Sequence, residues 1–163
     1  MKQTARLAGF FAAHGIWSVA DGATLIPMIG YEQAGGERRM VRFANEDIAV
    51  GAQAGRDALA ANPDAAARAV LVVDAYLHLP TGRLDALIVE AVEYGSKPRS
   101  LSIAVPYRPQ PSPGGFAVHR PKILQLTGVA ESEAPALTEA FFAGVDSHER
   151  AAPIWNASLD ESL

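Results

Sequence analysis

The chain contains no cysteine. Disulfides, thiolate metal sites, iron–sulfur clusters and cysteine nucleophiles are excluded together. Beyond the first twenty residues no apolar run approaches the ~18 residues that a membrane-spanning helix needs, so no membrane span is expected. Positive charge is not in excess: 14 Lys and Arg against 18 Asp and Glu give a net charge of −4. Without a global basic field, nucleic acid is not an expected partner. The four histidines (His14, His78, His119, His148) show none of the short spacings of metal sites such as H-E-x-x-H. The glycines of "GAQAG" and "PSPGG" form neither a Walker loop nor a dinucleotide fingerprint, and no serine sits in a G-x-S-x-G elbow. No metal and no cofactor is therefore expected.

What is present is the material for a core. Apolar residues make up 49% and charged residues 20%, the balance of a folded globular chain and not of a disordered one. A chain of 163 residues can bury one good core and is short for two. Residues 1–145 read as one domain and residues 146–163 as an irregular tail, in which Trp155 must dock on its own domain or on a neighbouring subunit.

The opening "MKQTARLAGFFAAHGIWSVADG" has early positive charge, an apolar run and a small-x-small ending, the grammar of a secretory signal. Against that reading, His14 interrupts the run, and Leu7, Phe10, Phe11, Ala13, Ile16 and Trp17 share a broad helical face. A structural helix over Thr4–Val19 and a cytoplasmic protein are the expectation, with a secretory signal at 1–20 the alternative.

Two strand-like segments follow, "TLIPMIGYE" and "RRMVRFA", with a tight turn at Gly35-Gly36. That turn sets Met28 opposite Phe43, Gly30 opposite Val41 and Glu32 opposite Arg39. Asn45 reads as the cap of a second helix. The glycines inside it, Gly51 and Gly55, each cost ~1 kcal/mol relative to alanine, a cost that close backbone approach to a neighbour would offset. "AVLVVDAYLHL", "RLDALIVEAVEY" and "SLSIAVPYRP" are three β-branched, alternating strands. "FAVHRPKILQL" adds a short strand, and a last helix spans Ala134 to Val145. The order α-β-β-α-β-β-β-(β)-α lacks sustained βαβ alternation, so the expected fold class is α+β: an antiparallel sheet of about five strands packed by helices. The element order resembles that of the roadblock and profilin-like folds, and type III secretion chaperones also mix helices with a small antiparallel sheet. The likeness is of topology alone and carries no function.

Three groups of residues are candidates for a site. With Pro80–Arg83 as a turn, His78 falls opposite Asp85, and the pair, with Asp74 beside it, could orient an imidazole as a general base. An ordinary polar contact near a turn is the competing reading. Lys97, Arg99, Arg108, Arg120 and Lys122 bracket the third long strand and the proline-rich loop. Of these, Arg99, Arg108 and Arg120 could form a basic rim for a small anion; the competing reading is scattered solubilising charge. Tyr76, Leu87 and Val89 lie on a face too apolar for open solvent and too polar for a closed core, which suits a helix cover or a subunit contact. Glu90 falls by parity on the apolar face, where a carboxylate needs a cation or an upward pKa shift. Weighed together, these features suggest a non-catalytic interaction or adaptor module of a soluble, bacterial-type protein that self-associates. An anion sensor using the basic rim and a small hydrolase-like acid–base enzyme around His78 and Asp85 are the alternatives.

Overall fold

The computed structural model describes residues 1–163. The chain forms α1 (Lys2–Val19), β1 (Met28–Glu32), β2 (Arg38–Arg42), α2 (Ile48–Ala61), β3 (Arg68–Leu79), β4 (Gly82–Glu93), β5 (Arg99–Arg108), β6 (Ala117–Val118), β7 (Lys122–Thr127), α3 (Ala134–Asp146) and α4 (Ala151–Ala157). All named strands pair antiparallel in the order β2-β1-β3-β4-β5-β6, and β7 also pairs with β5. The fold is α+β, with a seven-stranded sheet. No helix is long and apolar enough to cross a membrane.

The alternation of β3, β4 and β5 divides their side chains between two cores. Val70, Val72, Leu87, Val89, Leu101, Ile103 and Val105 lie in the larger cluster together with α1, α3 and Trp155 of α4. Leu71 and Val73 lie in a smaller one with Ile29, Tyr31 and Leu59 of α2. Helix α1 is buried around most of its circumference, with Leu7, Ala12, Ala13 and Ile16 all fully covered. That is why its sequence has the apolar density of a leader: it is wedged between the sheet and α3. Burying each large apolar side chain there contributes about 1.5–3 kcal/mol. The α1–α3 contact is backbone against backbone. A methyl placed on Gly9 would lie 1.8 Å from the Phe141 carbonyl oxygen, and one on Gly144 would lie 1.9 Å from that of Arg6. The glycines of α2 serve similarly, Gly51 against the Phe43 carbonyl and Gly55 against Leu71.

Three expectations need correction. The β1–β2 hairpin is displaced by one residue: Met28 pairs with Arg42, Gly30 with Met40 and Glu32 with Arg38. The cause is an odd-numbered loop, in which Gln33 accepts from Gly36 and donates to Glu37, with Gly36 at φ +91°. A one-residue slip exchanges faces. Met40 therefore packs on the α1 side, whereas Val41 and Phe43 pack on the α2 side. Glu32 then pairs with Arg38 at 2.6 Å and with Arg68, and Arg39 pairs with Asp64 at 3.0 Å.

The β3–β4 hairpin turns on two residues, Pro80-Thr81, rather than four, so Leu79 pairs with Gly82 and His78 with Arg83. Shifting by two keeps every side chain on its expected face but changes its partner. Finally, the tail is not irregular. Residues Ala151–Ala157 form α4, Trp155 is 1% exposed in the chain's own core, and Leu159 bridges in parallel to Val118. A seven-residue helix with a proline in its first turn is too short to show a legible period.

Candidate functional site

The hairpin does not bring His78 to Asp85. Asp85 stands across from Tyr76, and His78 is exposed across from Arg83. Asp74 instead accepts the Tyr107 hydroxyl through both carboxylate oxygens, at 2.9 and 3.0 Å. Burial pushes the Asp74 carboxyl up, with Asp85 adding to the rise and the Tyr107 hydrogen bond opposing it. Burial, with the negative charge of Asp74 close by, pushes the Tyr107 phenol up strongly. A phenol whose only proton is committed to a neighbouring carboxylate is held as a structural donor. Arg83 covers the exposed ring of Tyr76, its guanidinium carbon 4.0 Å from the ring centroid. His78, Asp85 and Asp74 thus form no nucleophile–base–orienter arrangement.

Arg99, Arg108 and Arg120 do not share a rim. Arg99 and Arg108 stand at opposite ends of β5, about 30 Å apart at ~3.3 Å per residue. Each arginine has its own carboxylate: Arg99 pairs with Glu93, Arg108 with Asp160 at 3.3 Å, and Arg120 with Glu161 at 3.0 Å. The last two hold down the C-terminal segment. Ser158 accepts from the Val118 amide, Asp160 donates to the Val118 carbonyl, and the Asp160 carbonyl lies 3.0 Å from His119 Nδ1. These basic groups therefore clasp the tail, and no common seat for an anion joins them.

Leu87 and Val89 are fully buried beneath α1, where Leu87 lies against Gly15. The cover of that face is the chain's own helix, and of the three expected contact residues only Tyr76 is exposed, at 50%. Glu90 meets Arg56 of α2 at 3.2 Å, the cation its position required.

Two features were not visible in the sequence. The first joins His14 of α1 to His148 of the α3–α4 link, Nδ1 to Nε2 at 3.0 Å. The proton positions follow from the backbone. The Ala151 amide donates to His148 Nδ1, so neutral His148 carries its proton on Nε2 and donates to His14 Nδ1. His14 must then be protonated on Nε2, and that atom is buried with no partner. The rings stack among Phe10 and Trp17, and Arg38 and Arg150 lie over Phe10 and Trp17. Burial, then the charges of His148 and Arg42, lower the His14 imidazole to about 4, and burial lowers His148 as well. A pair separated by 134 positions leaves no spacing signal. No group of three or more His, Cys, Asp and Glu side chains is placed to hold a metal ion.

The second feature is a difference between the sheet's two long free edges. The outer edge of β2 carries Arg38, Arg39 and Arg42. The outer edge of β7 makes no hydrogen bond to any other part of the chain, and the strand reads Lys-Ile-Leu-Gln-Leu-Thr. A bulge opposite Ser102 and Ile103 leaves Leu124 without a cross-strand partner, and Leu124 is 50% exposed. Ile123 and Phe142 of α3 are exposed beside it, over a small cleft of about 20 Å³ floored by Leu101, Ile103 and Phe141. No family model, curated protein or solved structure matches the chain.

Proposed function

We propose that this protein is a non-catalytic interaction module whose binding element is the open edge of β7 with the apolar ledge of α3 beside it. One observation carries the reading. Of the two long free edges, one bears three arginines and the other bears Ile123, Leu124 and Leu126 with a single charge, Lys122. A free strand presents unpaired amides and carbonyls to any passing chain, and charge on an edge discourages that pairing. Apolar residues on an edge favour it, because an added strand obtains main-chain hydrogen bonds and pockets for its side chains together. The side chains with acid–base chemistry support the same reading by being engaged elsewhere. Asp74 is bound by Tyr107, and Arg108 and Arg120 hold the tail; His78, exposed near the end of β3, has Arg83 and not a carboxylate across from it.

Amide hydrogen exchange on dilute, monomeric full-length chain tests the premise. The alternate β7 amides that do not bond to β5 should exchange orders of magnitude faster than those of β4. Uniform protection of Lys122–Thr127 in the monomer would mean that the chain closes this edge itself, and the reading would be lost.

A further inference from the structure

We infer that the occupant of the β7 edge is a second copy of this chain, added antiparallel across a two-fold axis so that the two sheets become one. The inference rests on the reading of β7 as the binding edge and names its partner.

The charge pattern along the strand selects the partner. Lys122 opens β7, the strand's interior is Ile-Leu-Gln-Leu, and Glu131 and Glu133 follow shortly after its C-terminal end. Lys122 and Glu131 are exposed, and neither enters an ion pair within the chain. In a two-fold antiparallel pair, the N-terminal end of one strand meets the C-terminal end of the other. Each Lys122 is then brought to the acidic end of its partner, twice over by symmetry, and no like charges oppose one another along the interior. The self-complementary patch that a two-fold interface requires is therefore already present in one strand and the turn after it. The other edge shows the reverse. Homotypic antiparallel pairing of β2 about its centre would set Arg38 of each copy against Arg42 of the other, and like charges placed opposite each other are destabilising.

The apolar groups point the same way. Leu137, Thr138, Phe141 and Phe142 of α3 line the same cleft as Ile123, so α3 flanks β7 on one face of the sheet. Joining two β7 strands would carry α3 of each copy to the seam, covering Ile123 and Phe142. Both are 36% exposed in the isolated chain. The bulge fits this role. A bulge is one device for spoiling an edge, but the residue it releases here is Leu124, which adds apolar surface to the edge and no charge.

The test is the mass of the full-length chain by light scattering after size exclusion, from about 1 to about 100 µM, a span that covers typical self-association constants. The expected result is a concentration-dependent dimer. Leu124→Lys should weaken it at least about tenfold, with an unchanged circular dichroism melt at a dilution where both proteins are monomeric, because Leu124 is half exposed. Lys122→Glu should weaken it about two- to fivefold, the scale of an exposed ion pair, and adding Glu131→Lys should restore it. A dimer indifferent to Leu124→Lys would place self-association elsewhere and overturn the inference. A monomer throughout would overturn it too, and the exchange measurement then separates the cases. A fast-exchanging edge on that monomer leaves the interaction module standing with a partner of other sequence, whereas a protected edge removes both proposals.

Discussion

Lowering the pH from 7 to 4.5 should destabilise the fold by about 1–2 kcal/mol through His14 and His148. In the unfolded chain His14 takes up its proton near 6.5, but in the folded chain only near 4. A folded-state value below the unfolded one means that the unfolded chain binds the proton first as the pH falls. Stability is therefore complete above pH 6.5, declines between 6.5 and 4, and levels off below. At ~1.4 kcal/mol per unit the ceiling for His14 is roughly 3 kcal/mol. His14 is only partly buried, so solvent screening reduces that figure to the smaller one given above. Structurally, a proton on His148 Nδ1 displaces the hydrogen bond it accepts from the Ala151 amide at the start of α4, and a proton on His14 Nδ1 faces the donor of His148. The charge of Arg42 makes the His14 cation less favourable, and that of Arg150 the His148 cation. The assay is urea unfolding at half-unit pH steps, for wild type and for His14→Leu. Wild type should lose stability across the histidine window and the variant should lose distinctly less. Parallel curves, or a flat wild-type profile from pH 7 to 4.5, would refute the proton assignment.

Three further outcomes follow from the packing. Gly144→Ala should cost about 3 kcal/mol or more by calorimetry, since its methyl would lie 1.9 Å from the Arg6 carbonyl oxygen and α1 must move away. Leu87→Asp should unfold the chain or cost at least about 4 kcal/mol in urea titration, because it puts a carboxylate into the fully buried layer under α1. Simple dissociation of an intact fold would contradict this placement of Leu87. Tyr107→Phe removes the hydrogen-bond donor to Asp74 and should cost about 1–3 kcal/mol at pH 7. The Asp74 carboxyl, already raised by burial, then rises further. The deficit against wild type should shrink as the pH falls and the carboxyl becomes neutral.

The fold was legible wherever a physical period was long enough to read. Residues 69–94 show their alternation over two full strands, and the parity that divides them between faces stands. The weight of the two faces is reversed: the more apolar-looking one, with Leu71 and Val73, lines the smaller core, and the mixed one, with Val72, Leu87 and Val89, lies under α1 in the larger. The β1–β2 register was not legible, because it depends on whether the loop holds an odd or even number of residues, and "QAGGE" permits both. The same freedom misplaced His78: "PTGR" closes on two residues, and Tyr76 takes the position opposite Asp85. Helix α4 escaped notice because it is held by Trp155 in the core and by a hydrogen bond to the His148 ring, both of which are tertiary facts. The same holds for the His14–His148 pair. The basic residues were visible, but the carboxylates that occupy them lie at Asp160 and Glu161, far along the chain from Arg108 and Arg120. The edge of β7 was present as a strand-like segment. That it splits from β6 at His119–Pro121, and that nothing covers its outer side, follows only once β5 is seen to pair with both.

The most direct test of the β7 edge as the binding element is residue-resolved amide exchange of the full-length chain at two concentrations, about 1 µM and about 100 µM. The account predicts that the outward amides of Lys122–Thr127 exchange rapidly in the dilute sample and become protected in the concentrated one, with β2 unchanged. Protection of β7 at both concentrations, or protection on concentrating that falls on β2 or another segment while β7 stays open, would contradict it.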